Sequence, residues 1–220
     1  MKTITKEYKV YTYDELKGDA VDKATSSIYE ILYENNAELL EGTLLDYMND
    51  TYKINLDSKD LTYSLTNNQG DGVSFLLDNV ITWAHLHDYL FKDSFPYNEL
   101  NIFEKVVVKQ LSKEDIDLVY EYVNSGYVIS INRRNSRYAH PYTCYLDYEI
   151  YQNDNKELED KVNSCISKLC GGLLKDKYNE VCKDLEEVGY TLLDVNQDDI
   201  LDYIEINKID FFENGDVAYL

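Results

Sequence analysis

The longest helical pattern in the chain covers residues 155 to 188 and weakens only at Gly171–Gly172. An amphipathic element of that length has to bury its apolar stripe against other secondary structure. The rest of the sequence offers both kinds of element, strands and helices, in groups and not in strict strand–helix–strand alternation. The reading is therefore an α+β fold: a mainly antiparallel sheet with helices packed on it and a long helix in the C-terminal half. With no internal repeat and no low-complexity linker, one domain over residues 1–220 is expected, with a sub-boundary near 152–156.

Along the chain, alternation over residues 3–13 (Ile4, Tyr8, Val10, Tyr11) predicts a first strand. Asp14 is placed to cap a helix whose stripe runs through Leu16, Ala20, Ala24, Ile28, Ile31 and Leu32. Gly42 predicts a break, followed by a second helix over 43–52. "LTYSLTNNQGDGVSF", residues 61–75, predicts two strands joined by a loop. Residues 79–92 read as a helix or an irregular excursion. The β-branched run in "NIFEKVVVKQL" predicts a strand. Ser112 caps the next helix, which stops at Gly126. "YVISINR" and "YTCYLDYEIY" predict an antiparallel pair around a basic connection. Asn196 caps a short helix, and Asn214–Gly215 gives a hairpin signal near the C-terminus.

Charge narrows the function classes. The formal net charge is −21, which disfavours direct contact with a phosphate backbone and favours basic protein surfaces or cations as partners. The charge is uneven: from residue 141 onward nineteen Asp and Glu face seven Lys, while residues 111–140 are neutral. Tyrosine occurs 22 times and proline twice; tyrosine-rich surfaces suit contact, and an AT-rich coding sequence gives the same bias. The opening "MKTITKEYKVYTY" has no apolar run, and no segment reaches membrane-span length, so a cytoplasmic location is expected. Cys144, Cys165, Cys170 and Cys182 lack zinc spacing and read as reduced thiols, three of them on the long helical pattern.

Two segments are candidates for a ligand site. In Gln69–Gly70–Asp71–Gly72 the glycines permit positive φ and expose N–H groups that can form an anion-binding nest, while a hairpin turn with Asp71 bonding its own backbone explains the same residues. Arg133, Arg134 and Arg137 are all the arginines in the chain, with Tyr138 and His140 close behind. Guanidinium groups bind phosphate or carboxylate in a fork, and Tyr138 could stack on a base. If the two segments converge, a nucleotide-sized pocket results; otherwise the arginines pair with carboxylates.

Other constellations are thinner. "DVNQDDILDYIE", residues 194–205, approximates a calcium loop, but Asp199 stands where a glycine is needed, and a helix capped by Asn196 is the preferred reading. His85 and His87 would face one side on a strand, with no third ligand evident. Nothing indicates an activated Cys144–His140 pair, a serine nucleophile or a dinucleotide fingerprint. No metal, cofactor or enzymatic activity is expected.

Four segments in order, "YTYDELKGDAVDKA", "NQGDGVSF", "RYAHPYT" and "IEINKIDFFENG", together resemble a family of small phage and prophage accessory proteins. Its corresponding patterns are "YxFDEL…A…A", "SQGDGASF", "R/H-YxHxxT" and "IExNxxxFxEDG". Asn68 replaces the family's serine and Leu76 its glycine. The resemblance implies a phage-type accessory protein, with an antitoxin-like partner as one variant. Charge adds the mechanism: carboxylates such as Asp184, Glu186, Glu187, Asp198, Asp199 and Asp202 would occupy the basic groove of a host defence or nucleic-acid-handling protein, as an anti-CRISPR-like or DNA-mimic-like inhibitor. The alternative is a nucleotide sponge built from the Gly-Asp-Gly loop and the arginine cluster.

Overall fold

The computed structural model describes residues 6–66, 68, 70–123, 128–134, 138–149 and 155–219. Gly126 and residues 152–154 of the expected sub-boundary near 152–156 lie outside them. The fold is α+β, with seven α-helices and two small antiparallel sheets among the described residues. Helices dominate it, and the strands form two separate ladders instead of one continuous sheet. The chain divides into two compact units, residues 1–41 with 190–220, and residues 42–189.

The first unit opens with a 3₁₀ turn, Tyr13–Glu15. Thr12 and Glu15 close it reciprocally, the Glu15 carboxylate accepting from Thr12 N–H at 2.9 Å. The expected helix start at Asp14 is thus displaced: helix α1 runs from Asp19 to Tyr52, after Gly18 in the left-handed region. Helix α1 also passes straight through Gly42. A helical glycine costs about 1 kcal/mol, and buried Leu40, Leu44, Met48 and Tyr52, spaced by four, outweigh it. Among the described residues of the expected first strand, Tyr11 alone pairs, in a two-bond bridge with Phe211. Phe211 also bridges Val217 around Asn214–Gly215. The core of this unit is Leu16, Ala24, Ile28, Ile200, Ile204 and Phe211, with Ile28 on α1 and Ile200 and Ile204 on helix α7, Gln197–Asn207.

In the second unit, strands β1 (Leu61–Ser64) and β2 (Gly72–Phe75) form a hairpin, and β3 (Val128–Arg133) pairs with β4 (Cys144–Glu149). A bridge between Leu77 and Ile131 ties the end of the first hairpin to β3. Helix α2, Trp83–His87, continues into a π turn over Asp88–Lys92. The segment read as a strand is helix α3, Ile102–Gln110. Asn101 Oδ1 accepts from Phe103 and Glu104 N–H, and Glu104 Oε2 accepts from Asn101 N–H at 2.8 Å. That capping box, with Phe103 and Val107 buried one turn apart, overrides the β preference of three consecutive valines. Helix α4, Lys113–Val123, starts at Ser112 as expected, its hydroxyl accepting from Asp115 N–H.

The long C-terminal pattern is helix α5, Lys156–Lys168, a π turn over Leu169–Leu173, and helix α6, Leu174–Leu193. Leu174 N–H bonds to Leu169 C=O, five residues back. This wider turn returns Leu174 to the face of Leu169, so the buried residues Val162, Ile166 and Leu169 continue as Leu174, Tyr178, Val181 and Leu185.

Candidate functional site

The Gly-Asp-Gly loop is held from within. Asp71 Oδ1 accepts from Ser64 Oγ at 2.6 Å, and Oδ2 accepts from Thr66 N–H and Asn68 N–H, both at 2.7 Å, and from Thr66 Oγ1 at 3.0 Å. The Ser64 hydroxyl, then the Asn68 amide, hold this carboxyl down at about 2. The carboxylate is the loop's own anchor. Gln69 lies outside the described residues.

The two glycines allow another segment to come close. Gly70 has φ +96°, and a Cβ there would sit 2.5 Å from the Tyr138 ring. Gly72 has φ +145°, and a Cβ there would lie 3.4 Å from the His140 Cα and 3.6 Å from Glu186 Oε2. Among the described residues, the loop and the basic connection therefore meet where Gly70 faces the Tyr138 ring and Gly72 faces the His140 backbone. Arg137 lies outside the described residues, so its distance from Asp71 does too.

The described cations are turned elsewhere. Arg133 on β3 donates through Nη1 to Thr62 Oγ1 and through Nη2 to Ser74 Oγ, each at 2.8 Å. Thr62 and Ser74 are direct partners across the β1–β2 ladder, so one guanidinium spans both strands. Arg134 is exposed and lies 4.9 Å from the Tyr145 ring centroid. His140 Nδ1 accepts from Tyr142 N–H, and its ring stacks on Tyr142 at 4.4 Å. Lys175 on α6 fixes the same connection, donating to Pro141 O at 3.1 Å and Cys144 O at 2.9 Å, and burial lowers its ammonium from the usual lysine range. Among the described residues of this connection, Tyr138, Tyr142 and Arg134 are exposed to solvent.

The candidate carboxylates separate into two sets. Asp184, Glu186 and Glu187 belong to the second unit, where Asp184 accepts from the Tyr52 hydroxyl, Glu186 lies beside Gly72, and Glu187 faces Lys183 at 3.5 Å. Asp198, Asp199 and Asp202 are exposed on α7 in the first unit. Asn196 caps that helix, its side chain accepting from Asp198 and Asp199 N–H while Asp199 accepts from Asn196 N–H. Residues 197–202 are helical, so the calcium-loop spacing does not wrap around a centre. The first unit carries six Lys against seventeen Asp and Glu, a net −11 in 72 residues, and the larger unit carries −10 in 148.

His85 and His87 lie on a helix, where positions two apart diverge. His85 Nδ1 sits 3.2 Å from Glu104 Oε1 and its ring stacks on Phe95, whereas His87 is stacked by Phe91 and Tyr120. Glu104, 1% exposed, also accepts from Thr82 N–H at 3.0 Å. This carboxylate and Lys175 are the polar anchors that sequence reasoning missed. The Asn101-to-Glu104 spacing was the available signal for the first. All four cysteines are free thiols; burial pushes Cys170 up to about 11 and Cys182 up to about 12, the opposite of an activated thiolate.

Among the described residues, no group of three or more His, Cys, Asp or Glu could hold a metal ion, and no helix is long and apolar enough to cross a membrane. No family model, no curated protein and no solved structure matches the chain.

Proposed function

We propose that this protein acts without catalysis, as a phage-type accessory protein that binds the basic groove of a host defence or nucleic-acid-handling protein and excludes its natural ligand. The observation that carries the reading is the acidity of the first unit, −11 in 72 residues. Glu30, Glu34 and Glu38 are exposed at four-residue spacing on α1, which sets one carboxylate every ~6 Å along the helix axis. One strand of duplex DNA presents a phosphate every ~3.4 Å, so the row matches about every second phosphate. Asp198, Asp199 and Asp202 add exposed carboxylates on α7. Groups that would otherwise suggest chemistry are engaged internally: Asp71 in its loop, Arg133 across the hairpin, Glu104 at a helix start.

The test is capture of host proteins at two salt concentrations, with Glu30→Gln/Glu34→Gln/Glu38→Gln as the variant. Raising salt from about 0.05 M to about 0.5 M shortens the screening length roughly threefold, so the complex should be lost, and the triple variant should weaken it at low salt. Capture indifferent to both changes refutes the reading.

The approach of Gly70 to Tyr138 and Gly72 to His140 favours a second reading, a nucleotide binder at the exposed Tyr138–Tyr142–Arg134 surface. A specific nucleotide would raise the melting temperature with the logarithm of its concentration over Kd; a flat response across nucleotides removes this reading.

A further inference from the structure

The first unit contains a groove of about 580 Å³ between the Thr12–Asp14 turn and the C-terminal end of α7. That size lies within the range of roughly 300–1,000 Å³ in which proteins hold compact ligands. Its floor is apolar: Leu201 is 39% exposed, and Ile204 and Ile209 continue into the core of the unit. Its rim carries Asp14, Glu205 and Asp210, none of which forms an ion pair among the described residues. The groove also receives the negative end of α7. The last turn of that helix has no basic residue, and its chain stops at Lys208 in the left-handed region. Lys208 is the single cation among the described lining residues, set against three carboxylates, a helix C-terminus and a unit of net charge −11.

An apolar floor inside a net acidic rim is complementary to one kind of occupant. We infer that this groove receives a basic amphipathic segment of a protein partner, a bulky apolar side chain lying on Leu201 and Ile209 while flanking Lys or Arg side chains meet Asp14, Glu205 and Asp210. The inference rests on the binding reading above and gives it an address: the rows of carboxylates attract the partner, and the groove selects it. Charge alone sets encounter and salt dependence, whereas apolar burial between the charges distinguishes one basic partner from another. A free nucleic acid is excluded by the sign of the rim, and an uncharged apolar peptide would leave the carboxylates without partners.

The probes are two short synthetic peptides with identical arginine content, one with leucines between the arginines and one with serines in their place. Binding to the isotope-labelled full chain is followed by amide chemical shifts. The leucine peptide should perturb residues 12–14 and 201–210 and bind about tenfold more tightly than the serine peptide, the effect of burying one apolar side chain. Leu201→Ser should abolish that preference; Asp210→Asn should weaken both peptides without abolishing it. Leu201 is partly exposed, so thermal unfolding of the variant provides the control for folding. Equal binding of the two peptides, shifts confined to residues 30–38, or a concentration-dependent dimer lost in Leu201→Ser each overturns the inference. Failure here is separable from failure of the binding reading: if the peptides ignore the groove but host capture still disappears in the α1 triple variant, only the groove is lost.

Discussion

Tyr178 offers the most demanding test of how the second unit is held together. The Leu61–Phe75 pair is one from which the backbone groups of Phe75 point away from β1, as the neighbouring bond from Leu76 N–H to Asp60 O requires. Among the described residues, no strand lies on that side of the two-stranded ladder. The Tyr178 hydroxyl stands in for one: it accepts from Phe75 N–H at 3.3 Å and donates to Phe75 C=O at 3.2 Å. Both residues are fully buried, so Tyr178→Phe leaves the Phe75 C=O without a partner and the Phe75 N–H with the weakly accepting Cys182 sulfur. The stranded carbonyl and the weakened N–H together cost about 2 kcal/mol, the long distances placing each near the lower bound. The assay is urea unfolding followed by the fluorescence of Trp83, the single tryptophan, which is buried in the same unit. A loss of that size lowers the midpoint by about 1 M urea. A shift under about 0.2 M would mean that the hydroxyl is dispensable and that the ring alone, packed on Phe75 at 4.9 Å, does the stabilising.

Gly70→Ala should destabilise the second unit by about 1–3 kcal/mol, since it places a side chain at positive φ against the Tyr138 ring. Adding Tyr138→Ala should restore the steric part and leave the backbone part, a non-additivity visible in a double-mutant cycle of urea midpoints. In an NMR titration the Asp71 carboxyl should titrate at about 2, below its ordinary 3.8; its contribution to the loop is therefore present above pH 3.8 and lost as the pH falls toward 2, and an unshifted carboxyl would refute the anchoring role. At the alkaline end, burial raises the Tyr178 hydroxyl, and burial followed by the Asp184 carboxylate raises Tyr52. Stability should be intact below pH 10 and fall as the pH rises past it, because the unfolded chain then releases protons that the folded one keeps; urea midpoints compared at about pH 8 and about pH 11 check the sign.

Much of the architecture was legible wherever the signal was local. The alternation in 128–133 and 144–149 marked β3 and β4, the Ser112 and Asn196 caps marked the starts of α4 and α7, and the long C-terminal pattern marked α5 and α6. The errors share a cause: a single-residue preference was weighed above what its neighbours bury. Val106–Val107–Val108 favours a strand by propensity, yet the Asn101–Glu104 cap and the Phe103–Val107 spacing make it a helix. Gly42 signals a break, yet two apolar turns on either side carry α1 through it. At the candidate site, the self-bonding of Asp71 belongs to the local class and was readable as one of two alternatives. The grip of Arg133 on Thr62 and Ser74 was not, because it joins residues about sixty to seventy positions apart, and no local pattern encodes that distance. The partition of the acidic residues between the units has the same character: neighbours in sequence such as Asp184 and Asp198 part company only once the chain is folded.

The five-residue turn between α5 and α6 has a consequence for how this chain tolerates change in length. Leu169 and Leu174 share a face because the ladder widens by one residue there. Were either Gly171 or Gly172 deleted, the same two leucines would stand four apart, the repeat of an ordinary α turn, and would share a face again. A side chain at either glycine would meet open space, so close packing at Cβ does not require a glycine at either position. The inserted residue is a removable spacer, and a shortened chain can keep its buried stripe in phase at the one point in the long helix where a single-residue loss would not throw every later side chain out of register.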